Sequence, residues 1–438
     1  MRTILLAAAL LAPDPQLRDS ASVARLLASL RTADAAVCDL AGRALTNFGG
    51  WWGGSDDNLP MPMPMPMPIP IPMPFAGGGL EIHGPDVGPK WGAGVDPRAL
   101  AAFRVALTDS SGCVRRIAAR MVGRSRPAWA YLTFTTMLKD NDPGLRETGL
   151  LGLGEIEDRR AVGVTTAALG DKDPAVRAMA AWALGEFSRP EAIPALSRAI
   201  GDESAAVRRK AAWALGQIEK EEALPALERS LRDKDAGVRR MAAWAIGEIE
   251  SPKGVSALRT ALADSDPDVR QTAVWALAEI EDPSAIEPLA PLVRDPDPTV
   301  RRMAAWALGQ IESAKSVLVL TPLVRDSDKD VRMTALWAFG QIESDQSVEA
   351  VGTGLKDRDP EVRSMAAWAL GQIEATSSVR LLTPVLTDSD DDVRIMAAWA
   401  LGQIESATAL TALEAVKDDR SPSVRRAVRW AIGQIDGR

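Results

Sequence analysis

The apolar and polar positions of this chain recur with a period of 31 residues over most of its length. A tryptophan marks each of nine successive copies, and no insertion disturbs the spacing: Trp182, Trp213, Trp244, Trp275, Trp306, Trp337, Trp368, Trp399 and Trp430. Repeats of this length bury their apolar face only by stacking on their neighbours. The pattern therefore predicts a solenoid.

Each copy contains two helical patterns. Asp173 followed by Pro174 is typical of a helix start, because aspartate caps free N–H groups and proline fits the first helical position. From that point the apolar residues follow the helical period and gather on one side: Val176, Ala180, Ala183, Leu184 and Phe187. A shorter apolar segment, from Ile193 to Ile200, precedes the next such helix. The fold class is therefore all-α, an α-solenoid of about twelve two-helix repeats.

Two polar positions also keep the period. An arginine recurs from Arg115 to Arg425, and an aspartate stands six residues before each one, from Asp109 to Asp419. A row of arginines could bind anions along the stack, or it could join repeats through charge-assisted hydrogen bonds to aspartate. We favour the second interpretation.

The repeat motif is Asp-x-Asp-Pro-x-Val-Arg-x-x-Ala-Ala-x-Ala-Leu-Gly-x-Ile, as in residues Asp295 to Ile311. It resembles the HEAT-like repeats of the phycobilisome-lyase type and the artificial proteins built from them, over residues of about 97 to 438. The resemblance implies that the second helix of each repeat lines a concave face. It also implies that the variable positions of that helix contact partners.

On the second helix the tryptophans point away from the expected core, together with a methionine and a glutamine position. We expect a partner-binding face made of the nine tryptophans with Met241, Met303, Met365, Gln310, Gln341 and Gln372. A purely structural alternative stays open, in which each ring covers the neighbouring second helix and lies over the methionine of the next repeat.

The period breaks near the start of the chain. Residues 21–48 read as a degenerate first repeat, residues 49–96 as a flexible insert rich in Pro, Met and Gly, and residues 97–438 as eleven regular repeats. In the insert, eight prolines alternate with Met or Ile from Pro60 to Pro74. Such tracts favour an extended conformer that docks on aromatic grooves. The tract from Pro60 to Phe75 is therefore either a ligand for the tryptophan face or a linker without contacts.

Within residues 1–20, Arg2 is followed by an apolar run from Ile4 to Ala12. This is the pattern of a short secretory signal or of a first helix, so exported, periplasmic and cytoplasmic locations all remain open. The run is too short to span a bilayer, and we expect no integral membrane segment. Cys38 and Cys113 occupy neighbouring positions in successive repeats, which makes a disulfide possible if the chain is exported.

The formal charge is −8, which argues against a nucleic-acid partner. The sequence shows no catalytic constellation and no metal motif, and its one histidine, His83, lies in the insert. The His-Glu pairs of deoxyhypusine hydroxylase, an iron enzyme of similar repeats, are missing. We therefore expect a non-catalytic scaffold without cofactor or metal that binds a protein or an extended Pro-rich peptide. The alternative is an enzyme or enzyme accessory of the lyase or oxidoreductase type found among similar repeats. The oligomeric state is left open.

Overall fold

The computed structural model describes residues 20–31, 38 and 97–437 of the chain. The expected signal peptide or first helix, all but its last residue, and the expected insert at residues 49–96 lie outside the described residues. Of the expected degenerate repeat, the structure describes one helix, the turn that follows it, and Cys38.

The described residues are helical, and no β-strand occurs among them. The helices up to residue 249 are α1 Ser20–Leu30, α2 Pro97–Ala106, α3 Gly112–Ser125, α4 Ala130–Met137, α5 Pro143–Ile156, α6 Val162–Ala168, α7 Pro174–Glu186, α8 Ile193–Ala199, α9 Ala205–Gln217, α10 Leu224–Ser230 and α11 Ala236–Glu248. Those that follow are α12 Gly254–Leu262, α13 Pro267–Glu279, α14 Ile286–Leu289, α15 Pro298–Gln310, α16 Val317–Leu320, α17 Lys329–Ile342, α18 Val348–Gly354, α19 Pro360–Ile373, α20 Val379–Leu382, α21 Asp391–Gln403, α22 Leu410–Ala415 and α23 Pro422–Asp436.

Short 3₁₀ turns complete the connections. They are Arg159–Ala161, Pro190–Ala192, Glu221–Ala223, Pro283–Ala285, Ala290–Arg294, Ala314–Ser316, Thr321–Arg325, Asp345–Ser347, Thr376–Ser378, Thr383–Thr387 and Ala407–Ala409. Three of them replace the last part of a first helix where Pro291, Pro322 or Pro384 stands at the second position of the turn. Proline lacks the N–H that an α-helical hydrogen bond needs, so the backbone tightens there.

The start of most second helices is encoded locally, as the sequence predicts. In α7 the Asp173 carboxylate accepts a hydrogen bond from the Ala175 N–H at 2.8 Å, and Pro174 is the first helical residue. The same aspartate cap opens α5, α11, α13, α15, α17, α19 and α21. The predicted core face is also confirmed, because Val176, Ala180 and Leu184 are buried.

The described residues divide into two compact units, one ending at Ile249 and the other beginning at Glu250. Within each unit the second helices of successive repeats lie side by side, as α7 packs on α9 and α19 on α21. The first helices form a second layer against them. The predicted α-solenoid is therefore confirmed.

Candidate functional site

Seven of the nine tryptophan rings lie against a glycine on the second helix of the preceding repeat. The glycine stands 28 residues earlier in the sequence, such as Gly185 for Trp213 or Gly340 for Trp368. A Cβ atom at Gly340 would lie 2.5 Å from the Cζ3 atom of Trp368, which is closer than atoms can approach. Glycine therefore leaves room for the ring at this point, and the ring covers a neighbouring second helix, as in the structural alternative.

The extent of burial divides the tryptophans into two groups. Five are buried, with 5 to 8% of their surface exposed: Trp182, Trp213, Trp244, Trp275 and Trp368. Four are half-buried: Trp306, Trp337, Trp399 and Trp430. The expectation that all nine rings line an open face is therefore wrong for the first group, whose rings are enclosed by packing against the neighbouring helices.

The methionines also lie deeper than the sequence suggests. Met241, Met303 and Met365 are 1%, 2% and 0% exposed, so their expected exposure on the partner-binding face is wrong. Second helices that pack at the usual interaxial distance of about 8–10 Å leave only a narrow stripe of each helix open. The methionine position falls outside that stripe.

The glutamines do lie at the surface. Gln310, Gln341 and Gln372 are partly exposed, and their side chains make no hydrogen bond to any residue in the described part of the chain. Each stands four residues after a tryptophan, so the two side chains share one side of the helix. We call Trp306, Gln310, Trp337, Gln341, Gln372 and Trp399 the Trp–Gln face.

The periodic arginines join the repeats. In Arg301 the Nε and Nη2 atoms donate hydrogen bonds of 2.8 Å to the two carboxylate oxygens of Asp326 in the next repeat. Its Nη1 atom donates to the backbone carbonyl of Asp295, also at 2.8 Å. The same bidentate geometry recurs in six further pairs: Arg146–Asp171, Arg177–Asp202, Arg208–Asp233, Arg332–Asp357, Arg363–Asp388 and Arg394–Asp419. With these guanidinium groups occupied, the favoured structural interpretation is supported over an anion-binding row.

The carboxylates near the ends of the second helices influence one another. Burial, together with the nearby charges of Glu155 and Glu157, raises the pKa of Glu186 to about 7. Burial likewise raises the pKa of Glu279, with Glu250 and Glu281 as the neighbouring charges. The negative charge at these helix ends is therefore dense enough to oppose its own ionisation.

The two cysteines form a disulfide in this structure, with their Cα atoms 5.7 Å apart. Cys38 and Cys113 are both buried, and the Nη2 atom of Arg116 lies 3.9 Å from the Cys38 sulfur. An ion pair supports the same junction, because Arg31 at the end of α1 binds the carboxylate of Asp109 at 2.8 Å. Together these contacts fix the first helix of the degenerate repeat to the regular repeats.

Sequence reasoning missed a row of glutamates directly after the second helices: Glu281, Glu312, Glu343, Glu374 and Glu405. Each is exposed and adopts a left-handed backbone, with φ between 48° and 53°. The signal was present, since these residues keep the period of 31, but their conformation could not be inferred from it. Glycine is the residue that usually ends a helix in this way.

Among the described residues, no group of three or more His, Cys, Asp or Glu side chains is arranged to hold a metal ion. No helix in this part of the chain is both long and apolar enough to cross a membrane.

A protein-family model described as HEAT repeats matches residues 163–242, 231–295, 286–352 and 348–433. The match is to HEAT repeats in general, and the phycobilisome-lyase type stays a prediction. No curated protein sequence matches the chain.

Three solved structures are similar in fold. Importin beta has 14% identity and a TM-score of 0.59, over 99% of this chain and 67% of that chain. A structure of Kap95p binding to RanGDP gives 16% identity and a TM-score of 0.55, over 99% of this chain and 66% of that one. Kap121p gives 14% identity and a TM-score of 0.52, over 100% of this chain and 54% of that one. At these identities the similarity shows the fold alone.

Proposed function

The chain belongs to the HEAT-repeat family, and we propose that it is a non-catalytic scaffold that binds a protein or an extended peptide through the Trp–Gln face. Its HEAT solenoid fold is typical of protein-binding scaffolds such as importins. The observation that carries the proposal is a row of half-buried indoles beside carboxamides without hydrogen-bond partners on neighbouring helices.

The chemistry of this face suits an extended chain. A carboxamide offers both donors and an acceptor, so each glutamine can bond to the N–H and C=O groups of a partner backbone whatever its sequence. A half-buried indole is rigid and gives apolar contact at a small cost in side-chain entropy. Because these groups recur on successive helices, a partner gains the same contacts at every repeat that it crosses.

The chain carries one internal candidate for this face, the uncharged tract from Pro60 to Phe75. Its alternating prolines favour an extended conformer that pays little entropy on docking. The tract lies outside the described residues, so its docking on the Trp–Gln face rests on composition. We treat it as a competitor of the external partner.

The test removes the glutamines rather than the tryptophans. Trp368 is buried against Gly340, so its replacement by alanine would open a cavity and damage the fold. A triple variant with Gln310→Ala, Gln341→Ala and Gln372→Ala removes partly exposed groups that make no internal hydrogen bond. Gln346→Ala, in an exposed turn after α17, is the control.

Both variants and the wild-type chain are used to recover partners, which are identified by mass spectrometry and then tested as purified proteins. We expect a partner that the wild type and the control bind and that the triple variant loses, while the circular dichroism spectrum stays unchanged. Equal binding by the triple variant would refute the proposed face. A chain that lacks residues 58–76 should recover more partner if the tract competes, and unchanged recovery would remove the tract from the proposal.

A further inference from the structure

Five glutamates border the Trp–Gln face without an evident structural role. Glu312 and Glu343 follow Gln310 and Gln341 by two residues, and the row continues at Glu281, Glu374 and Glu405. All five are exposed, and none forms an ion pair with another described residue. We call them the glutamate row.

The position of the row is unfavourable for the folded chain by itself. Each residue stands at the carboxyl end of a second helix, where the helix dipole favours cations over anions. Each also adopts a positive φ that glycine tolerates much better than glutamate does. Negative side chains and the negative ends of helix dipoles therefore concentrate along one margin of the unit from Glu250 onward. Burial raises the pKa of Glu279 at the first repeat of this margin, and the charges of Glu250 and Glu281 add to the shift.

The insert at residues 49–96 offers little positive charge to neutralise the glutamate row. The insert at residues 49–96 contains a single basic residue, Lys90. It also contains five acidic ones: Asp56, Asp57, Glu81, Asp86 and Asp96. The insert therefore has the same negative sign of charge as the glutamate row and is repelled by it. The tract from Pro60 to Phe75 contains no basic residue.

The spacing of the row specifies the ligand further. Neighbouring second helices pack about 8–10 Å apart, which sets the distance between equivalent groups of successive repeats. A polyproline-type chain rises about 3.1 Å per residue with three residues per turn, so every third side chain points the same way about 9.3 Å further on. One cation in every third residue of such a chain would meet one glutamate per repeat.

We propose that the partner of the Trp–Gln face is an extended, basic segment of a second protein, with a Lys or Arg at about every third position facing the glutamate row. This inference rests on the proposed function and names the chemistry of its ligand. The indoles and carboxamides bind the backbone and apolar side chains of the segment, while the row and the helix carboxyl ends select its positive charge.

The experiment measures the binding of synthetic peptides to the full chain. A fifteen-residue peptide of repeated Lys-Pro-Pro is compared with an isomer of the same composition that carries its lysines in one block. Repeated Glu-Pro-Pro and a peptide of residues 58–76 complete the set. We expect the regular Lys-Pro-Pro peptide to bind most tightly and to weaken as salt is added, because exposed ion pairs are screened.

Two matched variants of the chain separate the row from net charge. In the first, Glu312→Gln, Glu343→Gln and Glu374→Gln remove three charges from the row. In the second, three exposed glutamates of the first helices are changed in the same way: Glu287→Gln, Glu349→Gln and Glu414→Gln. We expect the first variant to bind the Lys-Pro-Pro peptide about tenfold more weakly and the second to bind it as the wild type does.

The outcomes distinguish this inference from the function on which it rests. If the tract peptide or Glu-Pro-Pro binds as tightly as Lys-Pro-Pro, and the glutamine triple variant weakens that binding, the Trp–Gln face stands and the basic partner is refuted. Equal losses in both glutamate variants, or equal binding of the two lysine isomers, would also overturn the role of the row. If no peptide binds and the glutamine variant loses no partner, the proposed function itself fails.

Discussion

Glu186 combines burial with nearby negative charge, and both raise its pKa. It is half-buried near the end of α7, and its pKa of about 7 compares with an ordinary value of 4.5. The folded chain therefore binds one more proton than the unfolded chain between about pH 4.5 and 7. The stabilisation that Glu186 gives to the folded chain is therefore complete below its ordinary pKa of 4.5. It is lost as the pH rises through its folded-state pKa of about 7.

We therefore expect Glu186→Gln to be as stable as the wild type at pH 4 and more stable by about 1–3 kcal/mol at pH 8. Urea unfolding at both pH values, followed by circular dichroism, measures the difference. Glu219→Gln, which removes an exposed carboxylate, is the control for the loss of a surface charge. If Glu186→Gln raised the free energy of unfolding equally at both pH values, the raised pKa of Glu186 would not be the cause of the gain.

At the scale of single residues, the sequence predicts polarity better than exposure. Met303 and Gln310 flank Trp306 on one helix, yet the methionine is buried and the glutamine is partly open. Helical periodicity gives the direction of a side chain to within one face. It does not give the position of the neighbouring helix, and that position decides which residue of the face reaches solvent.

Between elements, the packing of second helices depends on glycine. In α17, Gly340 receives the ring of Trp368 from the next second helix, and a Cβ would collide with three of its atoms. The chain contains one variation on this contact, because Ala278 occupies the corresponding position before Trp306, and that ring is half-buried. Rings that face a glycine, such as Trp399, are also half-buried, so the extent of burial alone does not separate the two cases. In α17 itself, a methyl group at Gly340 would require the ring of Trp368 to move.

We expect Gly340→Ala to lower the free energy of unfolding by about 1–3 kcal/mol, although alanine is the better helix former. Tryptophan fluorescence should shift to longer wavelength as Trp368 becomes exposed. Gly163→Ala in α6 is the matched control, since a Cβ there meets nothing within 4 Å. It should stabilise the chain by up to about 1 kcal/mol, and a loss of stability there would contradict the packing argument.

For the whole molecule, the disulfide between Cys38 and Cys113 closes a stretch of 75 residues that includes the insert. A closed loop of this length reduces the entropy of the unfolded chain, which corresponds to about 4 kcal/mol in the chain-entropy model. The constraint acts on α1 and its junction with α2 and α3. The second unit, from Glu250 onward, contains neither cysteine.

We therefore expect reduction of the disulfide to raise amide hydrogen exchange in Ser20–Leu30 and to leave residues 250–437 unchanged. Mass spectrometry of proteolytic fragments, with and without reductant, measures both regions in one sample. The variant with Cys38→Ser and Cys113→Ser should behave as the reduced chain does. Exchange that stays the same in α1 would show that the ion pair of Arg31 with Asp109 suffices to hold it.

The sequence by itself determined the repeat length, the starts of the second helices and the core face. These features depend on contacts within a few residues, such as the Asp173 cap, or on a pattern that repeats unchanged. It also placed the arginines and aspartates that join repeats. Only the tertiary structure decided which indoles stay open, because their burial depends on how closely the neighbouring helices pack around each ring. It alone showed the glutamate row at left-handed helix ends, since the period fixes where a residue recurs and leaves its backbone conformation to packing.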